Sequence, residues 1–221
     1  MSKETFPVMR RFHLPATAIS LVRVVVVLAC LAAALPSFAQ QGHDLFTGRS
    51  SDFGLSYMQE RTKFLGSSSS DYFMLRGAKI DYTADLWHGI GISGTAAGIA
   101  ATNVRGSIDI QQIQVLIGPR YTYNLGHNTD TFWGRRGGAF VEAKVGYTLS
   151  PSGLYPSNGN VLTSAGSLTY MGAAGINLTI YHRFDLRILE GGIIRTQLPN
   201  GGNNVQNTAF LGSGINAHFG H

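Results

Sequence analysis

The stretch Gly138-Ala139-Phe140-Val141-Glu142-Ala143-Lys144-Val145-Gly146-Tyr147-Thr148-Leu149 decides the fold, because its side chains alternate in polarity with a period of two. One face carries Ala139, Val141, Ala143, Val145, Tyr147 and Leu149, and the other carries Phe140, Glu142, Lys144, Gly146 and Thr148. Successive side chains of a β-strand point to opposite faces of the sheet. The alternation therefore predicts a strand, although a single strand of this kind does not indicate which of its two faces is exposed to water.

Similar segments recur along the chain and are separated by turn-forming residues, while no segment shows a sustained apolar stripe of helical period. Alternating segments of about ten residues are the sequence signature of a transmembrane β-barrel. We predict strands at about 51–63, 72–84, 89–100, 108–124, 138–149, 168–178, 184–196 and 206–219. The predicted fold class is all-β, a closed antiparallel up-and-down transmembrane β-barrel of about eight strands, because closure removes strand edges that lipid cannot solvate.

Several local features qualify this pattern. Arg76 falls on an apolar face, which a barrel tolerates only near a membrane surface. Pro119 and the pair Gly191-Gly192 each suggest a β-bulge, and the second bulge would allow Glu190 to turn inward from an otherwise apolar face. That apolar face of the seventh strand is formed by Leu186, Ile188 and Ile194.

The connections suggest an orientation. Those after the first, third, fifth and seventh strands are rich in Ser, Gly and Asn, and the longest is 150–167. Those after the second (85–88) and the sixth are tight, and the one after the fourth is intermediate. Long external loops and short periplasmic turns are typical of outer-membrane barrels.

Aromatic side chains support two interface belts. Those beside the short turns include Trp87, Tyr121, Tyr123, Trp133 and Tyr181. Those toward the long connections include Tyr57, Tyr72, Tyr147, Tyr155 and Tyr170.

The first residues predict a signal peptide. Lys3, Arg10, Arg11 and Arg23 precede an apolar run from Val24 to Leu35, which is followed by Ser37-Phe38-Ala39. A run of this length is too short for a transmembrane helix, which needs roughly 20 apolar residues. We predict cleavage after Ala39, with translation starting at Met1 or Met9, and hence three segments: 1–39 leader, 40–50 periplasmic lead-in and 51–221 barrel.

Removal of the leader changes the composition. The formal charge of +5 falls to +2, with 13 basic and 11 acidic residues, so no nucleic-acid partner is implied. Cys30, the one cysteine, lies inside the leader, which leaves the mature chain without thiol chemistry. A lipoprotein site at Cys30 fits the preceding residues poorly.

The chain resembles the small eight-stranded outer-membrane β-barrels of the OmpA/OmpX type, which include porin-family proteins of Gram-negative-type envelopes. The segments that carry the resemblance are Lys79-Ile80-Asp81-Tyr82-Thr83, Gly89-Ile90-Gly91-Ile92, Leu116-Ile117-Gly118-Pro119-Arg120-Tyr121-Thr122-Tyr123, Gly138 to Tyr147, and Asp185-Leu186-Arg187. The resemblance implies an outer-membrane location, contact with membrane lipid and lipopolysaccharide, and recognition of a closing strand that ends at Phe219 by the insertion machinery. Two departures are that Gly220 and His221 follow this aromatic residue and that no peptidoglycan-binding domain follows the barrel.

Function must then lie in the lumen or the loops. An eight-stranded barrel has an interior that side chains fill, so we expect a plugged, charged lumen rather than an open pore. The predicted inward network consists of Glu60, Lys79, Asp81, Arg120, Glu142, Lys144, Arg187 and Glu190. Unpaired charges there would be costly, so we expect ion pairs and hydrogen bonds among them.

The favoured interpretation is a structural or surface-recognition role through the external loops. Alternatives are a narrow or gated channel, a lipid-modifying barrel enzyme, and a soluble periplasmic barrel with its apolar faces turned inward around a lipid-like ligand. No histidine lies in a catalytic motif, and no pair of ligands has metal-like spacing on one strand face. We therefore expect no enzyme activity, cofactor or metal, and the external ligand stays open.

Overall fold

A computed structural model describes residues 51–63, 72–104, 108–124, 137–157, 160–181, 183–200 and 204–219. The predicted leader and lead-in lie outside these residues. No helix in the described ranges is long and apolar enough to cross a membrane. The strands are β1 (Ser51–Lys63), β2 (Tyr72–Trp87), β3 (Ile90–Val104), β4 (Ile108–Asn124), β5 (Gly137–Ser152), β6 (Tyr155–Ser157), β7 (Asn160–Leu162), β8 (Ala165–Tyr181), β9 (Phe184–Thr196) and β10 (Gln206–Phe219).

Eight of these strands form a closed barrel in the order β1-β10-β9-β8-β5-β4-β3-β2. All neighbours are antiparallel, and Ser51 of β1 pairs with Phe219 of β10, so the first and last strands close the sheet. The predicted all-β, eight-stranded closed barrel is confirmed. We call the end with Ser51 and Phe219 the terminal end and the opposite end, beside β6 and β7, the hairpin end.

The β2–β3 connection is tighter than predicted. Its two residues, His88 and Gly89, have φ angles of 46° and 81°. Positive φ at both central positions is the condition for a type I′ turn, whose twist matches that of the flanking strands. Residues 85–87 consequently belong to β2, and the prediction that they form part of the turn is wrong.

The connection between β5 and β8 also differs from the predicted loop. It contains the hairpin of β6 and β7, in which Tyr155 pairs with Leu162, while β5 runs on to Ser152 and β8 begins at Ala165. The Tyr155 hydroxyl donates to Ser150 Oγ over 2.5 Å. Burial raises the pKa of the Tyr155 phenol, which keeps it a neutral donor. Tyr155 is 5% exposed, so it is not the interface aromatic that the sequence suggested.

The contrast in connection length is weaker than predicted. Because β3 extends to Val104, its connection to β4 is reduced to residues 105–107. At the terminal end, the connection between β4 and β5 spans residues 125–136. The lengths alone therefore do not orient the barrel, and the orientation stays a prediction.

A register shift in β9 changes which residues face inward. Gly212 and Gly214 of β10 pair with Glu190 and Arg187, so Ile188 and Leu189 together oppose one residue of the partner strand. This bulge lies just before Gly191-Gly192, where the sequence predicted it. Beyond it the facing is reversed, and Ile194 is fully buried inside the barrel rather than outward as predicted.

The bulge predicted at Pro119 is absent. Pairing on both sides of Pro119 keeps one register: Ile92 pairs with Pro119 on β3, and the pairs Ile117–Val145 and Arg120–Glu142 stay in step on β5. A proline can occupy a barrel strand where the ladder does not use its missing N–H. The shift between β4 and β5 lies instead between Gln111 and Ile113.

Candidate functional site: the barrel lumen

The outer face of the barrel is apolar. On β5, Val141, Val145 and Leu149 are 54%, 43% and 53% exposed, whereas Glu142 and Lys144 are buried. The inverted arrangement, in which apolar faces surround an internal ligand, therefore does not apply to this chain. Of the predicted interface aromatics, those with exposed side chains are Tyr57, Tyr72, Trp87, Tyr121, Tyr123, Tyr147, Tyr170 and Tyr181. Trp133 lies outside the described residues, and the two belts themselves stay a prediction.

Seven of the eight predicted lumen charges form one cluster. Asp81 is its centre: its Oδ2 accepts from Arg187 Nη1 over 2.6 Å and lies 3.1 Å from Lys79 Nζ. Its Oδ1 accepts from Thr95 Oγ1 over 2.6 Å and lies 3.5 Å from Lys144 Nζ. One carboxylate on β2 thus holds cations from β2, β5 and β9.

Two further carboxylates complete this cluster. Glu190 Oε2 accepts from Arg187 Nη1 over 2.8 Å, and its Oε1 accepts from Lys79 Nζ. Glu142 Oε1 accepts from Lys144 Nζ over 2.8 Å, and its Oε2 lies 4.0 Å from Arg120 Nη1. We call Lys79, Asp81, Arg120, Glu142, Lys144, Arg187 and Glu190 the ionic layer.

An aromatic ring supports the two arginines of the ionic layer. The guanidinium carbons of Arg120 and Arg187 lie 3.9 Å and 5.0 Å from the ring centroid of Phe140, which is buried on β5. A desolvated cation over an aromatic face gains about 2 kcal/mol. Phe140 lies on β5 two residues before Glu142, and both side chains face Arg120.

Toward the hairpin end from the ionic layer, a cluster of buried apolar side chains lies in the lumen beside the polar Glu60, Gln114 and Thr208. The cluster consists of Met58, Leu75, Ala97, Ile99, Leu116, Met171, Ala173, Ile194 and Phe210, all at most 8% exposed. We call this set the apolar layer. The sequence analysis did not predict it, because the predicted lumen network was restricted to charged residues, although the same period-two facing places Met58, Leu75 and Leu116 inward.

Glu60 does not belong to the ionic layer. It pairs across the barrel wall with Leu75 and Phe210, and so lies at the height of the apolar layer. Its carboxylate accepts from Gln114 Nε2 over 2.7 Å and from Thr208 Oγ1 over 3.4 Å. In the described part of the chain no cation lies within ion-pair distance of it, so the prediction that it pairs with the other charges is wrong.

No protein-family model matches the sequence, and no curated protein is similar to it. Solved structures do match. Neisserial surface protein A is 12% identical with a TM-score of 0.51, and the match covers 78% of this chain and 98% of that one. Ail of Yersinia pestis, solved with the heparin analogue sucrose octasulfate, is 17% identical with a TM-score of 0.48, covering 78% and 99%. The N-terminal barrel of OprF of Pseudomonas aeruginosa is 10% identical with a TM-score of 0.39, covering 78% and 98%.

The fold is that of the small outer-membrane β-barrels. The resemblance drawn from the sequence motifs is confirmed at the level of the fold. Identities this low concern the architecture alone, so the chemistry of this barrel has to be judged from its own residues.

The terminal end of the barrel contains a cavity and a polar clasp formed by Asp52, Asp185 and His218. A cavity of about 420 Å³ opens there, lined by residues that include Asp52, Asn177, Asp185 and His218. His218 Nδ1 lies 2.6 Å from Asp52 Oδ1, and its Nε2 lies 2.8 Å from Asp185 Oδ2. Since Asp52, His218 and Asp185 come from β1, β10 and β9, this histidine joins three strands at the seam where the barrel closes.

Several buried polar atoms have no hydrogen-bond partner in the structure. Those in the ionic layer and toward the terminal end are Arg120 Nη2, Glu142 Oε2, Asn177 Oδ1, Asp185 Oδ1, Arg187 Nε and both side-chain polar atoms of Asn216, and two more, Thr62 Oγ1 and Thr196 Oγ1, lie toward the hairpin end. Donors and acceptors are both present, and buried groups of this kind are normally satisfied by ordered water. Because most of these atoms lie in the terminal half of the lumen, that half is suited to hydration.

The lumen has no recognisable reactive centre in the residues that the structure describes. No group of three or more His, Cys, Asp or Glu side chains there has metal-binding geometry. Both ring nitrogens of His218 face carboxylates, which leaves neither of them for a hydroxyl nucleophile. His88 lies in the β2–β3 turn, and the remaining histidines lie outside the described ranges.

Proposed function

We propose that this protein is a non-conducting outer-membrane barrel with a structural or surface-recognition role through the connections at its hairpin end. The single observation that supports it is the stacking of two dense layers across a narrow bore. The ionic layer engages its four cations with three carboxylates, and the one charged group at the height of the apolar layer, Glu60, is held by Gln114 and Thr208. An ion in transit would have to lose hydration among the apolar side chains of that layer, which is costly.

Single-channel recording in planar bilayers tests this proposal. The refolded barrel should show no steady conductance. Phe210→Ala removes an inward side chain of the apolar layer, whereas Leu211→Ala removes its outward neighbour on the same strand. We expect Phe210→Ala to admit brief openings that Leu211→Ala lacks, while equal silence or equal conductance of the two variants would contradict the sealing role of the layer.

A gated channel is the second candidate, and a specific observation favours it. The partnerless polar atoms and the cavity at the terminal end would suit water as far as the ionic layer. If the apolar layer rearranged, water would reach from one end to the other. Steady conductance of the unmodified protein would therefore replace the first proposal with this one.

The location and partners form part of the same proposal. We infer that the mature chain begins after Ala39, sits in the outer membrane against lipid and lipopolysaccharide, and is recognised by the insertion machinery through β10. Membrane fractionation, heat-modifiable gel migration and N-terminal sequencing of the mature chain test this. A soluble periplasmic monomer would refute it.

We also propose that the barrel has no enzyme activity, because its central polar groups are engaged with each other. Loss of a lipid-hydrolysing activity in a His218→Ala variant would refute this proposal. The alternative of a lipid-modifying enzyme would then regain support.

A further inference from the structure

Three basic side chains lie on the outward face of β1 and β2 at the hairpin end. Arg61, Lys63 and Arg76 are exposed there, and no salt bridge joins them to another described residue. Arg61 pairs with Met74, which places Arg76 on its diagonal, about 7–8 Å away. The Arg61 guanidinium also lies 4.0 Å above the ring of Tyr72. The lipid-facing wall thus carries a fixed cationic patch.

Beside this patch the barrel wall divides. Pairing between β2 and β3 stops at Arg76 and Ala100, although the strands continue to Tyr72 and Val104. Beyond that point β2 stays paired with β1 and β3 stays paired with β4, so the two strands diverge. A cavity of about 380 Å³ lies between them, and we call it the β2–β3 wedge. Its volume is in the range of small-ligand sites, roughly 300–1,000 Å³.

The floor of the wedge is apolar and continuous with the lumen. Phe73 and Ala101 line the wedge and also pack against the apolar layer. Arg76 lines the β2 side of the same cavity. On the β3 side, the N–H of Asn103 donates to Asp109 Oδ1 over 3.0 Å, so the carboxylate at this rim is already engaged. The wedge therefore combines an apolar floor with a positively charged edge.

The position of Arg76 on the lipid face indicates how deep this site lies in the membrane. A cation on the lipid face costs most near the centre of the bilayer and little near the interface, so we place Arg76 at the headgroup level. A ligand that fits an apolar floor below a headgroup-level cation has an acyl chain and an anionic group. Arginine favours phosphate, to which it donates charge-assisted hydrogen bonds.

We propose that the β2–β3 wedge binds a phosphate-bearing membrane lipid, with its acyl chain against Phe73 and Ala101 and its phosphate on Arg76 and Arg61. This inference rests on the proposed outer-membrane location and deepens it by naming a lipid-binding site, and it does not depend on whether the lumen conducts. It adds a ligand-binding site in the barrel wall to the proposed role of the hairpin-end connections.

The methionines supply a direct readout. After removal of the predicted leader, the chain contains Met58, Met74 and Met171 alone. Met74 lines the wedge, whereas Met58 and Met171 belong to the apolar layer. Methyl-labelled methionine in the full-length mature barrel, refolded in a non-ionic detergent, therefore gives one NMR reporter of the wedge and two of the lumen. The probe is dodecyl phosphate, and the comparison amphiphile is dodecyltrimethylammonium.

We expect dodecyl phosphate to shift the Met74 signal saturably, with a half-saturation concentration about tenfold higher in Arg76→Gln, as for one lost charge-assisted hydrogen bond. Arg195→Gln is the matched control, because Arg195 is also exposed near the hairpin end but lies on β9. Ala101→Phe should fill the floor and weaken binding while keeping every charge. Heat-modifiable migration of each variant shows that it is folded.

Three results would overturn the proposal. Binding of dodecyltrimethylammonium as tight as that of dodecyl phosphate would show that charge plays no role. An equal shift of Met74 with inorganic phosphate alone would show that the alkyl chain plays no role, and equal behaviour of Arg76→Gln and Arg195→Gln would show that the wedge is not the site.

Discussion

Asp81 is the group whose removal tests the ionic layer most directly. Its carboxylate is 2% exposed and contacts Lys79, Lys144 and Arg187. Asp81→Asn keeps the size of the side chain but leaves these cations with fewer anionic partners. Breaking a buried ion pair from one side destabilises proteins by roughly 3–5 kcal/mol, because the remaining charge is desolvated and uncompensated. We therefore expect a loss of unfolding free energy in that range, which lowers the folding equilibrium constant by a factor of at least about 100.

Urea unfolding of the barrel in lipid vesicles, followed by tryptophan fluorescence, measures this loss. Asp109→Asn is the control, because Asp109 is exposed at the rim and its replacement should cost less than about 0.5 kcal/mol. A loss below about 1 kcal/mol for Asp81→Asn would refute the reasoning, since that is the value of a solvent-screened pair. It would mean that water penetrates the ionic layer and shields its charges.

Three further perturbations test other parts of the barrel. Val145→Lys places a charge on the lipid face in mid-strand at a cost of about 2–4 kcal/mol, so the yield of membrane-inserted protein should fall. Glu142→Gln should lower stability without changing that yield. Equal yields for Val145→Lys and the parent would invalidate the assignment of faces. In Gly89→Ala the added Cβ would lie 2.2 Å from Thr122 O at a φ of 81°, so the unfolding free energy measured in urea should fall by more than the roughly 1 kcal/mol typical of a surface glycine. His218→Gln should loosen the closing seam, and amide hydrogen exchange should increase in β1 and β10 at the terminal end but not in β4; uniform exchange across the barrel would argue against a local clasp.

Period-two alternation made most of this architecture predictable. The faces of β1, β2, β4, β5 and β8 followed directly, because a one-residue slip would have exposed charges to lipid. Strand ends were less predictable, because ladder pairing extends beyond the part of a strand that contacts lipid. The turn at His88 and Gly89 is an example: its left-handed backbone, rather than polarity, determines where β2 ends.

The sequence predicted which charged residues face the lumen, but it did not predict how they are arranged. The facing of Glu190 depended on where β9 acquires its extra residue, and the alternation placed Ile194 on the wrong side for the same reason. The separation of Glu60 from the ionic layer follows from strand stagger, which sets the height of each side chain along the bore. Stagger results from pairing across the barrel, and no single strand contains that information.

The closing seam offers a way to observe assembly. Leu55 of β1 and Ile215 of β10 are Cα partners across it, although 160 positions separate them along the chain. Their proximity exists only once the last strand has met the first. Because Cys30 is the one native cysteine and lies in the predicted leader, a pair of cysteines introduced at these two positions would meet no competing thiol in the mature chain. The time course of disulfide formation between them would then report when the open sheet closes into a barrel.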